Sequence, residues 1–377
     1  MRLKDHEGED MRTIRGAVFT AFLILTIGVH AAHPGLPEKE YDVARLAEGV
    51  YGISWRAPLA DPVEANVLVI VNESDVVLVD SSVLRTTAQR IVAEVRKLTP
   101  KPVRYVINTH WHNDHVQANE VYRDTWPGVE FISHANTRTD TVEQAFGTIP
   151  KVLGQYRENI AMYERWKAAG KDDSGKPVDE ARRARIDNVI GLLQAFIDQT
   201  ENFRAVPPDL TVEQGLTLHR GNRTIEVRHL GRGNTRGDVI VFLPKERIVA
   251  TGDLVVHPSP FAFGSYYKEW IETLGRVAAL DADTFFPGHG AVMRDRTYIQ
   301  KLQGLLGDLV KQVDAAVARG ASLEETQTAV TLEEWKKKFA AEDELIARAF
   351  DAFFVKPAVE RAWRQARGEP DKISVDL

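Results

Sequence analysis

The run Thr109-His110-Trp111-His112-Asn113-Asp114-His115 places three imidazoles and a carboxylate on one short loop. Imidazole nitrogen and carboxylate oxygen are the donors a transition metal takes, and four of them so close together have no ordinary packing role. The stretch 103–108 ahead of them is apolar and β-branched, which predicts a buried strand with the loop emerging from its end. Residues i and i+2 of an extended segment point the same way, so His110 and His112 can grip one ion from one side. Asp114 and His115 fall in the following turn and can face a second position, the arrangement that two-metal hydrolysis requires.

Further donors follow strand-like runs downstream. Residues 248–251 lead into Gly252-Asp253, and residues 284–286 lead into Pro287-Gly288-His289-Gly290, where glycine lets the backbone turn tightly enough to aim the side chain between. With these motifs in this order the chain resembles the metallo-β-lactamase superfamily over roughly residues 41–296, interrupted by a helical stretch. The resemblance implies an α+β fold, an αββα sandwich, and metal-dependent hydrolysis. It assigns His110 and His112 to a first metal, Asp114, His115 and His289 to a second, and Asp253 as the bridge. Gly231-Arg232-Gly233-Asn234-Thr235-Arg236-Gly237-Asp238 is similar to the family's Gly-x-x-His-Thr-x-Gly-Asp, with Asn234 standing where a histidine ligand is usual. An amide oxygen is the weaker ligand for zinc, so the first site is expected to lose affinity or to fill with water, and the second to be the tighter. One or two zinc ions per chain are therefore expected. His229 is a conceivable substitute ligand, but its register differs from the motif and a strand position with a local hydrogen bond is the simpler expectation.

Zinc lowers the pKa of bound water to about 7, supplying hydroxide at neutral pH, and Asp114 is the residue placed to orient it and carry its proton. The expected reaction is attack on a carbonyl: a lactone, ester, thioester or lactam. Family members with a di-iron redox centre usually carry glutamate at the second histidine position, whereas His112 stands here. Lactamases with a carboxylate-clamping lysine carry it three residues after the bridging position, here Val256, and use cysteine where this chain has Asp253, so β-lactamase activity is not favoured. Arg232, Arg236 and His257 are candidate anion holders with an ordinary surface alternative, and His134 reads as a packed or capping residue. The aromatics of 257–263, directly after Asp253, favour an apolar substrate portion. A competing reading, motivated by Asn234, is an accessory metal-binding protein without turnover.

Arg12 and Arg15 precede an uncharged run, 17–29, with small residues around Ala31, which predicts a signal peptide over 1–31 and a periplasmic or secreted protein. The run is shorter than a membrane span, so no membrane association is expected after cleavage. The charges of 4–10 fit a signal poorly, making Met11 an alternative start. The absence of cysteine excludes disulfides and lipid attachment at an N-terminal cysteine. A net charge of −6 argues against a nucleic-acid partner, which matters because nucleases share the metal motif, and leaves a small-molecule substrate. A hydrophobic fraction of 44% is ordinary for a globular chain.

The elements that must hold the donors are legible as pattern. Strands are predicted over 50–55, 65–71, 75–80, 216–230 and 239–243, and a helix over 86–98 from Ile91, Val92, Val95 and Leu98. Residues 137–207 read as a charged helical insertion with a loop at 171–177, within a domain spanning 32–300. An extension over 301–377 is helical, with an apolar stripe from Leu302 to Val317. It is expected to pack on the sandwich, with a pocket wall or a homodimer contact as the sharper alternative.

Overall fold

The computed structural model describes residues 40–59 and 63–369; the leader read over 1–31 lies outside them. Seven strands form the first sheet in chain order: β1 (Tyr41–Ala47), β2 (Val50–Trp55), β3 (Val67–Val71), β4 (Val76–Val79), β5 (Val103–Ile107), β6 (Glu130–His134) and β7 (Leu210–Val212). β1 to β4 pair antiparallel and β4 to β7 parallel. The second sheet runs β12 (Thr284–His289), β11 (Ile248–Val256), β10 (Ile240–Leu243), β9 (Arg223–Arg228), β8 (Gly215–Arg220), antiparallel except for the β11/β12 pair.

Both faces of each sheet's central strands are covered, which is why these segments read as near-continuous apolar runs. Leu68, Ile70, Val77, Val79 and Ile107 of the first sheet meet Ile225, Val227, Val241, Ile248 and Phe286 of the second in an inner core. The outer face of the first sheet packs on α1 (Arg85–Leu98) through Ala88, Ile91, Val92 and Val95, a one-sided stripe at helical spacing. The outer face of the second is covered by α7 (Tyr267–Ala278) and by the C-terminal helices. Layers of helix, sheet, sheet and helix give the expected αββα sandwich.

Two helical segments depart from that plan. Between β6 and β7 lie α4 (Ala135–Asp140), a π-helical turn Thr141–Phe146, α5 (Gly147–Ala169) and α6 (Glu180–Thr200), with a small core of their own that includes Trp111. After β12, α8 (Thr297–Ala318), α9 (Leu323–Ala329), α10 (Glu333–Ala340), α11 (Glu344–Ala349), a second π-helical turn Phe350–Val355 and α12 (Lys356–Ala366) continue the outer core of the second sheet. Two short helices, α2 (Asn113–Val116) and α3 (Asn119–Thr125), follow β5.

The strand expected over 216–230 is a hairpin broken at Gly221, whose φ of 64° suits glycine. β1, β6 and the three-residue β7 have no counterpart among the predicted strands. β1 is an edge strand exposed along most of its length, so no apolar alternation marks it, and β6 is a five-residue buried run.

Candidate metal centre

β5 ends at Ile107, and the loop that follows carries His110 and His112 before α2 begins, placing Asp114 and His115 in its first turn. Asp253 lies inside β11 and His289 at the end of the neighbouring parallel strand β12. These six residues converge in two groups, His110 with His112 and Asp253, and Asp114 with His115 and His289. Asp253 reaches both, through Oδ2 to the first and Oδ1 to the second.

The second group has the spacing of a tetrahedral ion site. His115 Nε2 lies 3.4 Å from His289 Nε2, 3.4 Å from Asp114 Oδ2 and 3.3 Å from Asp253 Oδ1, while His289 Nε2 lies 3.1 Å and 3.4 Å from the same two oxygens. Four donors at zinc's usual bond lengths stand about 3.3 Å apart in a tetrahedron. Asp253 Oδ1 is buried and makes no well-formed hydrogen bond despite these neighbours, as expected of an oxygen facing a cation. The residues therefore fit a divalent metal. In the first group His110 Nε2 and His112 Nδ1 are 2.8 Å apart, and Asp253 Oδ2 is 3.6 Å and 4.0 Å from them, a looser and uneven set.

Asn234 is fully buried near this first group: its Nδ2 donates to the Phe261 carbonyl at 2.9 Å, the Phe261 ring sits edge-on to His112 at 5.5 Å, and its Oδ1 makes no hydrogen bond. His229 and His134 lie elsewhere. Nδ1 of His229 bonds the Asp238 carbonyl at 2.8 Å, and His134 caps α4 by accepting from the Asn136 amide at 3.0 Å. Arg232 pairs with Glu269 and Arg236 with buried Asp140, and the His257 ring sits edge-on to Tyr298.

Electrostatics separate the two groups. Burial works against a charge on His289, but the charges of Asp253 and Asp114 outweigh it and raise the ring to about 9. His115 is likewise driven above its ordinary range by Asp114, Asp80 and Asp253, against burial. Burial tends to raise Asp114 and Asp253, yet the neighbouring histidines hold both far below the usual carboxylate range. His110 goes the other way: burial, then the charge of His115, push it well below its ordinary value. Raised rings and lowered carboxylates thus favour one another's charged forms in the second group, where a divalent ion would take the place of ring protons.

Residues behind the donors set their orientation. Asp80 accepts from the Thr109 amide at 2.7 Å and from Thr109 Oγ1 at 2.8 Å, and its Oδ2 lies 2.8 Å from His115 Nδ1. Thr109 Oγ1 in turn lies 3.1 Å from His110 Nδ1, so one carboxylate steers a ring in each group. His289 Nδ1 bonds the Glu64 carbonyl at 3.0 Å, and the Glu64 carboxylate accepts from the Val83 amide at 2.8 Å. Sequence reading missed Asp80. Its signal is an acid closing the apolar strand β4, whose parallel neighbour β5 leads to the histidines.

Comparison with known proteins identifies the family. Residues 60–289 match the family model described as the metallo-beta-lactamase superfamily. A linear primary-alkylsulfatase from Pseudomonas sp. is 19% identical over 285 residues, covering 72% of this chain and 47% of that protein. The structure of a stereoselective inverting sec-alkylsulfatase from Pseudomonas sp. superposes with a TM-score of 0.60 at 16% identity, over 88% of this chain and 51% of that one. A metallo-beta-lactamase from Pontibacter korlensis gives a TM-score of 0.48 at 17% identity, over 71% of this chain and 99% of that one. The chain thus spans about half the length of the two alkylsulfatases. With the family model matched over more than half of its residues, this protein belongs to the metallo-beta-lactamase superfamily.

Proposed function

We propose that this protein is an exported zinc-dependent hydrolase that uses an activated water to cleave an ester-like bond in a small molecule. The observation that carries the reading is the near-regular set of donors formed by Asp114, His115, His289 and Asp253, with spacings of 3.1–3.4 Å. Zinc held there would supply positive charge and a water acidified to a pKa of about 7.

The chain's own residues do the rest. Oδ2 of Asp114 faces His115 and His289, which leaves Oδ1 to orient the attacking water and receive its proton. Asp80 sets which nitrogen of His115 faces the centre, because Nδ1 lies 2.8 Å from its carboxylate and Nε2 is the nitrogen among the donors. His110, buried and held neutral, keeps a lone pair for the first position. A carbonyl substrate is the leading reading. A sulfate ester is the second, favoured by the alkylsulfatase activity for which the two Pseudomonas relatives are named.

The test is a panel of lactones, thioesters, carboxylic esters, alkyl sulfates and a chromogenic β-lactam, assayed with zinc, with chelator, and after zinc is restored. Turnover that disappears with chelator and returns with zinc supports the reading, and the responding class decides between carbonyl and sulfate ester. Zinc bound with no turnover across the panel would favour an accessory protein. Export is tested separately, by fractionating cells of the source organism and sequencing the N-terminus of the mature chain.

A further inference from the structure

The metal centre is closed on most sides. His110 and His115 are fully buried, and only His112 and Asp114 show appreciable surface, with 12% and 17% of their side chains exposed. A substrate must therefore approach past these two residues. Beside His112 stand two rings, buried Trp111 at 4.6 Å and half-buried Phe261 at 5.5 Å.

Phe261 does not stand alone. Its ring centroid is 4.6 Å from that of Phe263 and 6.0 Å from that of Phe353, and all three rings are half-buried. Phe353 belongs to the C-terminal π-helical turn, more than sixty residues beyond the last metal donor. The turn is anchored by fully buried Phe350 and Phe354, and the Phe353 carbonyl accepts from the Ala262 amide at 3.0 Å, pinning the loop that carries Phe261. The Tyr267 hydroxyl holds the same loop through the Ala262 carbonyl at 3.0 Å, and Asn234 holds it from below through the Phe261 carbonyl. Such π-helical turns are rare and gather at functional sites.

We propose that Phe261, Phe263 and Phe353 form an apolar subsite at the mouth of the metal centre that receives a saturated hydrocarbon chain of the substrate. The Phe261 ring plane is tilted by 41° to that of Phe263 and by 39° to that of Phe353, so the three rings present an uneven apolar surface without a hydrogen-bonding group, which a flexible hydrocarbon chain can follow. The C-terminal extension thereby completes the site. Phe353 determines specificity without touching the reacting atoms. The inference rests on the hydrolase reading for its reaction, but the subsite can be measured without turnover.

Two measurements test it on the full-length, zinc-loaded protein. In the substrate class that responds, kcat/KM should rise by about fourfold per added methylene until the rings are covered. Binding of straight-chain alkyl carboxylates, followed by calorimetry, should tighten with chain length in the same way. Phe353→Ala and the milder Phe353→Leu should each flatten both trends, with Phe353→Ala losing about tenfold on the longest chain, while zinc content stays unchanged. Failure of all turnover with chain-dependent binding intact would sink the hydrolase reading and leave the subsite standing. Turnover with no dependence on chain length in either measurement would overturn the subsite. An altered oligomeric state in Phe353→Ala with both trends preserved would also overturn it, by assigning these rings to a contact between copies.

Discussion

The two halves of the metal centre share one bridging carboxylate and differ in almost everything else. The half built from Asp114, His115 and His289 is regular, buried and charged, with two raised histidines balanced by two depressed carboxylates. The half built from His110 and His112 is uneven, and His110 is held neutral. Asn234 stands behind it, with one end tied to a loop carbonyl and the other without a hydrogen bond. The contrast teaches that a two-metal scaffold can keep one position as a permanent holder of charge while the other is left adjustable.

The largest expected effect tests that ranking. His115→Ala removes a donor from the regular half and should eliminate the tightly held zinc, lowering chelator-sensitive turnover by about a thousandfold. His112→Ala should leave that zinc in place, and equal loss from the two variants, read by metal analysis after dialysis, would erase the distinction. Asp80→Asn acts on both halves at once. Asn tolerates the left-handed backbone that Asp80 adopts, φ 68°, so the change reports on the carboxylate, and zinc affinity should fall about 10- to 100-fold in a competition titration. Unchanged affinity would remove Asp80 from its orienting role.

Asn234→His should sharpen the looser half, raising affinity for the second zinc equivalent by about tenfold with little change in the first. Equal gains at both equivalents would place Asn234 outside the first position. The subtlest effect is one of pH. His289 rises from an ordinary 6.5 to about 9 in the metal-free fold, so its contribution to stability is fully present below 6.5 and is lost as pH climbs through 9. The melting temperature of the chelated protein should therefore fall between those values, whereas zinc-loaded protein, in which the metal takes the place of the Nε2 proton, should not follow. Parallel curves for the two forms would contradict this, and apparent zinc affinity should rise over the same interval as protons stop competing.

The donors were legible in the sequence because imidazoles and carboxylates crowded onto strand ends have few reasons to be there other than a metal. The sandwich followed from the same motifs and from apolar runs such as 67–71 and 76–79, and the family match confirms it. Less legible were features set by tertiary contact. Asp80 reads locally as an acid in a turn, and the Glu64 carbonyl that orients His289 leaves no trace in residue type. The π-helical turns differ from ordinary helix by one residue of spacing, too little to register in apolar periodicity, so the approach of Phe353 to Phe261 was visible only after folding. The helices after 300 were readable as helices, and their reach to the mouth was not.

Gly288 sits where any side chain would collide with the bridging carboxylate of Asp253 and with the backbone of its strand. Behind the donors, then, the scaffold has no room at this position, and a single methyl group there would dislodge the residue both halves depend on. The half-buried rings of Phe261, Phe263 and Phe353 lie outside that collision. A change of ring size at the loop or the appended helices would thus reshape the approach while the wall at the back of the donors stays as it is.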